Sequence, residues 1–578
     1  MVYILCFYIC YIALFCGIGL ITLWAFKLCS MTTPRFSALF WLGWSATILI
    51  LQIWHFFAPI TKLLFFPLIS LSLIGWMISY KSIVEDIKSV SLQKIIVFLL
   101  IFISTGVWIA SLATESSVPY DTGLYHIQVI KWNSEYAIVP GLGNLHSRLA
   151  FNNSNFLYAS LLDNGFWEGK SFHISNSLLM FVLVLQLLYQ IYKKIIVKPF
   201  PVSIIFDILL LSAAISWSYG YPVKYGLTSY NQDLVIFVIS SIVLNVLLNA
   251  LLSRKSGTEN KRNYLFIAVV AVCGITVKLS FLPLAILSIV AISVSYFRQR
   301  IISLVDMFRC NILPVLLIFF WIVRNLILSG YFLYPSPVIS LPVKWRIPVS
   351  QVERTQRGIV SWARYGTNAD GSDLDNAWQA QWYARTDIGI KWAFYLGIGF
   401  SGCALILSKF NKKKLNISLA IWLGIVILSI IVWFFTAPHV RFSAGLFSAC
   451  MAGGCMLLAD QLSVLKQKIY RSGVFLIVIT FAVANAYFLR TQSVSPVFRI
   501  ELGPDLKRMQ ADPTKYTDYL VDGVAIYYPV TGDQCWNTPL PCSPQPNSRL
   551  HLISSPDIQC GFWMEEKNID NTDVLITQ

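Results

Sequence analysis

The sequence predicts an all-α polytopic membrane protein with about fourteen transmembrane helices, extracytoplasmic loops, and a small soluble C-terminal domain of α+β or mostly-β type. Composition comes first: the 578 residues are 56% hydrophobic and 12% charged, with a mean hydropathy of +0.65, far too apolar for a soluble domain. Apolar runs of spanning length recur along the chain. Cations sit in short clusters on alternate connections between those runs rather than along one basic face. The formal net charge of +16 is therefore a topology signal, and nucleic acid is not expected as a partner.

Taking about 20 mainly apolar residues as one crossing, the spans are 2–26, 37–55, 60–79, 95–112, 172–192, 202–219, 232–252, 264–277, 282–297, 311–329, 389–408, 416–436, 441–459 and 472–490. The first, Val2 to Phe26, has no basic leader and no small-residue cleavage site, so a retained helix is expected rather than a signal peptide. Spans 264–277 and 282–297 are together too long for one crossing and short for two, and Lys278 with Pro283 marks the expected break. Five connections alternate correctly to share one side: those with Lys193, Lys194 and Lys198; Arg254, Lys255, Lys261 and Arg262; Arg298, Arg300 and Arg309; Lys409 and Lys412 to Lys414; and Lys466, Lys468 and Arg471. By the positive-inside rule that side is cytoplasmic. The N-terminus, loop 113–171, loop 330–388 and tail 491–578 then lie outside. Three units follow: a transmembrane extension 1–94, a transmembrane core 95–490 carrying both loops, and an extracytoplasmic domain 491–578.

Loop 330–388 interleaves cations with aromatics, among them Trp345, Arg346, Arg354, Arg357, Trp362, Arg364, Tyr365, Trp378, Trp382, Tyr383 and Arg385. Such a surface stacks on sugars and pairs with phosphates, or it forms an interfacial aromatic belt with solvated arginines. The tail is acid-rich (Glu501, Asp505, Asp512, Asp518, Asp522, Asp533) and alternates apolar and polar residues from Tyr519 to Val530. Most of the 12 cysteines lie in apolar spans, as with Cys6, Cys10, Cys16, Cys273, Cys450 and Cys455, where they pack as small apolar residues. Cys535, Cys542 and Cys560 stand in the polar tail, where Cys535 and Cys542 could form a disulfide in an oxidising compartment and leave Cys560 unpaired.

Polar chemistry is densest between Val118 and Asn155. Asp121 follows Pro119 and Tyr120 and suits an N-cap; equally, a carboxylate at a membrane mouth suits a general base or an orienting group. Tyr125, Val129, Trp132 and Tyr136 form one apolar stripe at helical spacing, which predicts a helix lying along the membrane surface, stripe down. His126, Gln128, Lys131 and Glu135 then project elsewhere. Pro140-Gly-Leu-Gly breaks the chain before His146, Arg148, Asn152, Asn153 and Asn155. His126 and His146, beside Lys131 and Arg148, read either as hydrogen-bonded structural residues or as phosphate contacts. Neither HExxH nor a paired CxxC occurs, so no tightly bound metal is expected. A labile divalent cation, Mg or Mn, held by Asp121 with Glu135 or a substrate phosphate is the one metal reading left open. Beyond this stretch, Lys224, Asp233, Lys278, Arg324 with Asn325, and His439 with Arg441 all fall near the outer leaflet, where they read as a lipid-headgroup site or as snorkelling side chains.

The span 95–112, the loop Tyr120-Asp121-Thr122-Gly123-Leu124-Tyr125-His126, the many later spans and the soluble tail together resemble the GT-C superfamily of integral-membrane glycosyltransferases. That resemblance implies a GT-C-like core and transfer of sugar from a polyprenyl-phosphate-linked donor to a glycan or glycolipid acceptor, at the outer face of a bacterial inner membrane. By position it makes Asp121 the catalytic carboxylate. The candidate substrate-binding residues are then Tyr120, Tyr125, His126, Lys131, Glu135, His146, Arg148, Asn152, Lys278, Arg324, His439 and Arg441. The chain departs from the superfamily in placing this loop after its fourth span and in offering one acid there rather than two adjacent ones. A closer similarity, to uncharacterised bacterial envelope proteins, rests on Asp121 to His126, Pro140 to Asn152, Arg324-Asn325 and Gly532-Asp533-Gln534-Cys535-Trp536. A surface-polysaccharide polymerase or ligase, and a non-catalytic transporter or envelope-assembly protein, are the competing expectations.

Overall fold

A computed structural model describes residues 1–28, 36–114, 119–197, 201–219, 224–252, 257–366, 378–411, 413–463, 473 and 515–566. Eleven helices among them are long and apolar enough to cross a membrane: Val2–Ala25, Phe36–Trp54, Lys62–Ser89, Leu92–Leu112, Ser171–Ile196, Gln232–Leu252, Leu279–Arg298, Leu304–Ser329, Ile388–Phe410, Ile417–Thr436 and Gly445–Leu462. The chain is a multi-pass membrane protein. Two more helices stand where spans are expected. Ile204–Tyr219 has a shorter apolar run, Ile204–Ile215, and Thr258–Val277 carries Glu259, Lys261 and Arg262 in its first turns. The expected span 472–490 lies outside the described residues, as do Lys198, Arg254, Lys255, Lys412, Lys466, Lys468 and Arg471 of the cation clusters.

The break between the expected spans 264–277 and 282–297 is real. Lys278 is extended (φ −158°, ψ 128°), a single 3-10 turn Leu279–Phe281 follows, and Pro283 opens Leu282–Arg298 near its N-terminus, where a missing N–H costs nothing. The first helices approach through small residues: a Cβ on Gly43 would lie 1.7 Å from the Phe15 carbonyl oxygen. One end of the bundle carries the ion pairs Lys194–Asp207 (2.5 Å), Lys261–Asp306 (2.7 Å) and Lys413–Asp460 (3.2 Å). The other end carries the large loops.

At that loop-bearing end a second apolar core joins segments far apart in sequence, including Leu124, Tyr125, Trp132, Phe156, Ile347, Ile526 and Phe562. Tyr125, Val129 and Trp132 are buried in it and Tyr136 packs on its margin. This corrects the expectation of a surface-lying helix: Ile127–Glu135 is covered by protein on its apolar side, because the helix Ser154–Leu162 and the tail close over it. The described tail has two antiparallel pairs, Tyr516–Val521 with Val524–Pro529 and Leu550–Leu552 with Phe562–Met564. Asp522 (φ 49°) and Gly523 (φ 85°) make the tight hairpin turn of the first pair, the Asp-Gly turn that matches strand twist. Cys535 and Cys542 form a disulfide and Cys560 is free. Glu501, Asp505 and Asp512 lie outside the described residues.

Candidate functional site

Asp121 sits where the helical stretch beginning at Tyr120 widens into a π-helical turn, Thr122–His126. Its backbone is already helical (φ −62°, ψ −23°) and its side chain makes no capping bond. The N-cap reading therefore fails, because the helix starts one residue too early for Asp121 to stand outside it. Instead its Oδ1 lies 3.6 Å from Arg148 Nη1, with 36% and 38% of the two side chains exposed. The Arg148 guanidinium also lies over the Tyr125 ring, 5.8 Å from its centre.

Beneath this pair lies His126, only 2% exposed. Gln232 Nε2 is 3.4 Å from His126 Nε2 and Thr122 Oγ1 is 3.3 Å from its Nδ1. An amide nitrogen only donates, so Nε2 accepts and Nδ1 keeps the proton. Burial pushes the His126 pKa down to about 4, Arg148 and Lys278 work in the same direction, and Asp121 and Asp233 oppose them. The residue next to Gln232 is Asp233, at the head of Gln232–Leu252. Lys278 donates a short hydrogen bond to Asp233 Oδ1, and Arg441 Nε lies 3.7 Å from its Oδ2. Lys278 also sits 3.6 Å from the centre of the Phe442 ring. His439 Nδ1 accepts from the Arg441 backbone N–H at 3.3 Å, and burial, then Arg441, pushes its pKa down to about 4.

Three cations (Arg148, Lys278, Arg441) thus face two carboxylates (Asp121, Asp233), with both histidines neutral near pH 7, so the cluster keeps one net positive charge. Arg441 also lines a narrow cleft between helical segments, with Ile236, Ser240, Ser280, Pro283 and Ser429 on its walls. The cleft joins apolar wall to hydroxyls and one guanidinium.

Not every expected residue converges here. Arg324 is buried elsewhere: its Nε donates to Asn152 Oδ1 at 3.1 Å and its Nη1 to His55 Nδ1 at 2.9 Å, while Trp321 Nε1 donates to the Asn152 carbonyl at 2.6 Å. Arg324 and Asn152 therefore knit loop to bundle and stand apart from the cluster. His146 is half-buried, and burial followed by Arg148 pushes its pKa down to about 3, so it is a neutral neighbour of Arg148. Lys131 is spent on the Thr538 carbonyl at 2.8 Å and the Asn537 carbonyl at 3.4 Å. Glu135 is exposed at the far end of the same helical stretch as Asp121, about 20 Å away at the helical rise. One cation cannot bridge them, so the pairing of Asp121 with Glu135 on a metal is withdrawn. Among the described residues no three His, Cys, Asp or Glu side chains are grouped to hold a metal.

Tyr120 reaches the tail: its hydroxyl donates to Asp533, 2.6 Å from either oxygen, and partial burial, then the Asp533 carboxylate, raises its pKa to about 12. In loop 330–388 several of the charged and aromatic groups have partners within the loop or beyond it. Arg364 lies 4.7 Å over Trp378, Arg346 pairs with Glu566 at 3.3 Å, and Trp382 Nε1 donates to the Pro438 carbonyl. The Lys224 side chain lies outside the described residues. Sequence reasoning missed Gln232, and it placed Asp233 near the outer leaflet with Lys278 and Arg441 without giving it a role in the site. It singled out Asp533 and Trp536 only through the resemblance of 532–536 and did not bring them to the Asp121 turn.

Bundle and cluster together define a multi-pass membrane protein with a cluster of three cations and two carboxylates at the loop-bearing end of its helices. The chain belongs to the family described as Domain of unknown function (DUF8201), whose model matches residues 1–448 and so takes in Asp121, Arg148, Asp233, Lys278 and Arg441. No curated protein and no solved structure matches it.

Proposed function

We propose that the protein is a GT-C-type glycosyltransferase that uses a polyprenyl-phosphate-linked sugar at the outer face of a bacterial inner membrane, building an envelope glycan or glycolipid. The observation that carries this reading is the convergence of the Asp121–Arg148 pair and the Asp233–Lys278–Arg441 group around His126, with Arg441 also on the wall of the cleft. An anionic headgroup gains from the net positive charge, and the exposed apolar side chains Ile286, Val290 and Val294 of Leu282–Arg298 offer a surface for an apolar chain. Asp121 takes the proton of the acceptor hydroxyl as its oxygen attacks the anomeric carbon, and the bond from that carbon to the carrier phosphate breaks with its electron pair going to the phosphate. Arg441 and Arg148 stabilise the charge that develops there. Attack opposite the leaving phosphate inverts the anomeric centre. The Cys535–Cys542 disulfide at the same end supports an oxidising, extracytoplasmic location.

The test is transfer from a single-sugar polyprenyl phosphate in proteoliposomes. Asp121→Asn abolishes product while carrier binding and folding persist; full activity in that variant overturns the assignment. Turnover only with an oligosaccharide-linked carrier would instead indicate the polymerase or ligase reading. A transporter would place its charges near the middle of the bundle, whereas these gather at one end.

A further inference from the structure

Residues 533–538 of the tail lie along Tyr120–Lys131 and bond to it at every turn. Tyr120 donates to Asp533, and Gln534 Nε2 donates to the Tyr120 carbonyl at 2.8 Å. The Trp536 backbone N–H donates to the Gly123 carbonyl at 2.9 Å. Its indole lies so flat on Gly123 that a Cβ there would come within 2.3 Å of the ring. Gln128 Nε2 donates to the Trp536 and Thr538 carbonyls at 2.9 and 3.0 Å, and Lys131 to that of Thr538. None of these partners is near in sequence; those to Tyr120 and Gly123 bear on the turn that presents Asp121, and those to Gln128 and Lys131 hold the helix that follows it.

The same run is anchored at its back. The Cys535–Cys542 bond closes it into a short loop whose far end is tied to the strand Val524–Pro529: Tyr527 N–H donates to the Pro541 carbonyl and Ser543 N–H to the Tyr527 carbonyl, each at 2.9 Å. Removing the cross-link frees the Trp536 side of the loop from that anchor and returns its conformational entropy. We infer that the 533–542 loop is a disulfide-braced clasp that holds the Asp121 turn in place and lets go of it when Cys535–Cys542 is reduced. A dithiol supplies two electrons and two protons: the S–S bond becomes two thiols and the dithiol closes to its own disulfide. Cys560 is exposed, and its hydrogen bond to the Asp557 carboxylate, foremost, raises its pKa, which disfavours the thiolate needed to reshuffle the bond. The clasp does not depend on glycosyl transfer.

The test is hydrogen exchange on the full chain in lipid nanodiscs, in a Cys560→Ser background, with and without dithiothreitol. Reduction raises exchange across 120–131 by about tenfold or more while Gln232–Leu252 keeps its protection. The Cys535→Ser/Cys542→Ser variant matches the reduced form and ignores the reagent. Unchanged exchange at 120–131 once mass spectrometry shows both thiols free overturns the clasp. So does an equal rise in Gln232–Leu252, which would mean that the bond supports the whole fold. Should the serine variant fail to fold, the reduced wild-type chain decides the matter alone.

Discussion

Gly123→Ala probes the contact between loop and tail at its tightest point. The new Cβ would stand 2.3 Å from Trp536 Cε2 and 2.6 Å from Cδ2 and Cζ2, where side-chain carbons do not approach within 3.0 Å. The indole has to withdraw by about 1 Å, an overpacking that costs about 1–3 kcal/mol. If the withdrawal also breaks the Trp536 N–H bond to the Gly123 carbonyl, about 0.5–1.5 kcal/mol more is lost. Against this, alanine is better than glycine in a helical backbone by about 0.5–1 kcal/mol. The net expectation is a loss of about 1–3 kcal/mol in the opening free energy of 120–131, read by native-state hydrogen exchange. The decisive arm is the same substitution in a Trp536→Ala background. With the ring gone only the helical gain remains, so the sign reverses to a stabilisation of about 0.5–1 kcal/mol. An equal effect of Gly123→Ala in both backgrounds would show that the ring does not rest on this turn.

Asp233→Asn leaves Lys278 and Arg441 without their shared carboxylate and is expected to destabilise the bundle by about 3–5 kcal/mol in equilibrium unfolding, with Asp233→Glu recovering part; a loss under about 1 kcal/mol would refute the ion cluster. For His126 the folded pKa of about 4 lies below the ordinary 6.5, so the unfolded chain binds its proton first. Stability fully present above about pH 6.5 is then lost as the pH falls toward 4, by about 3 kcal/mol for this buried ring among Asp121, Arg148, Asp233 and Lys278. His126→Gln should flatten that slope, and an unaltered slope would count against a neutral buried imidazole.

Eleven of the expected spans were legible because their signal is local, length and hydropathy, and Lys278 with Pro283 even marked the break between two short helices. The site was legible only in part. A stripe of Tyr125, Val129 and Trp132 says that one face is covered, but not whether lipid or protein covers it. The cover comes from Trp536 and its neighbours, some 410 residues away, as in the Gln128 bond to Thr538. Asp121 illustrates a second limit. Its residue type favours a cap, and only the exact start of the helix at Tyr120 decides that it is not one. Arg324 and Arg441 show a third: the same residue type at the same end of the bundle meets neutral Asn152 and His55 in one case and the Asp233 carboxylate in the other.

The two carboxylates of the cluster differ in how firmly they are held, and that difference orders what an arriving anion can do. Asp233 is buried and shared by two cations, so pulling Lys278 away from it costs several kcal/mol, on the order of 3–5. Asp121 and Arg148 are more than a third exposed at 3.6 Å, a pair worth about 0–1 kcal/mol. On the proposed function a phosphate would recruit Arg148 first and release Asp121 from its partner, while Lys278 would stay with Asp233. Arg148→Ala should then weaken binding of a polyprenyl phosphate severalfold with little change in stability, whereas Lys278→Met should lower stability more than affinity. The reverse pattern, affinity lost through Lys278 and stability through Arg148, would place the anion on the buried trio and leave Asp121 a bystander.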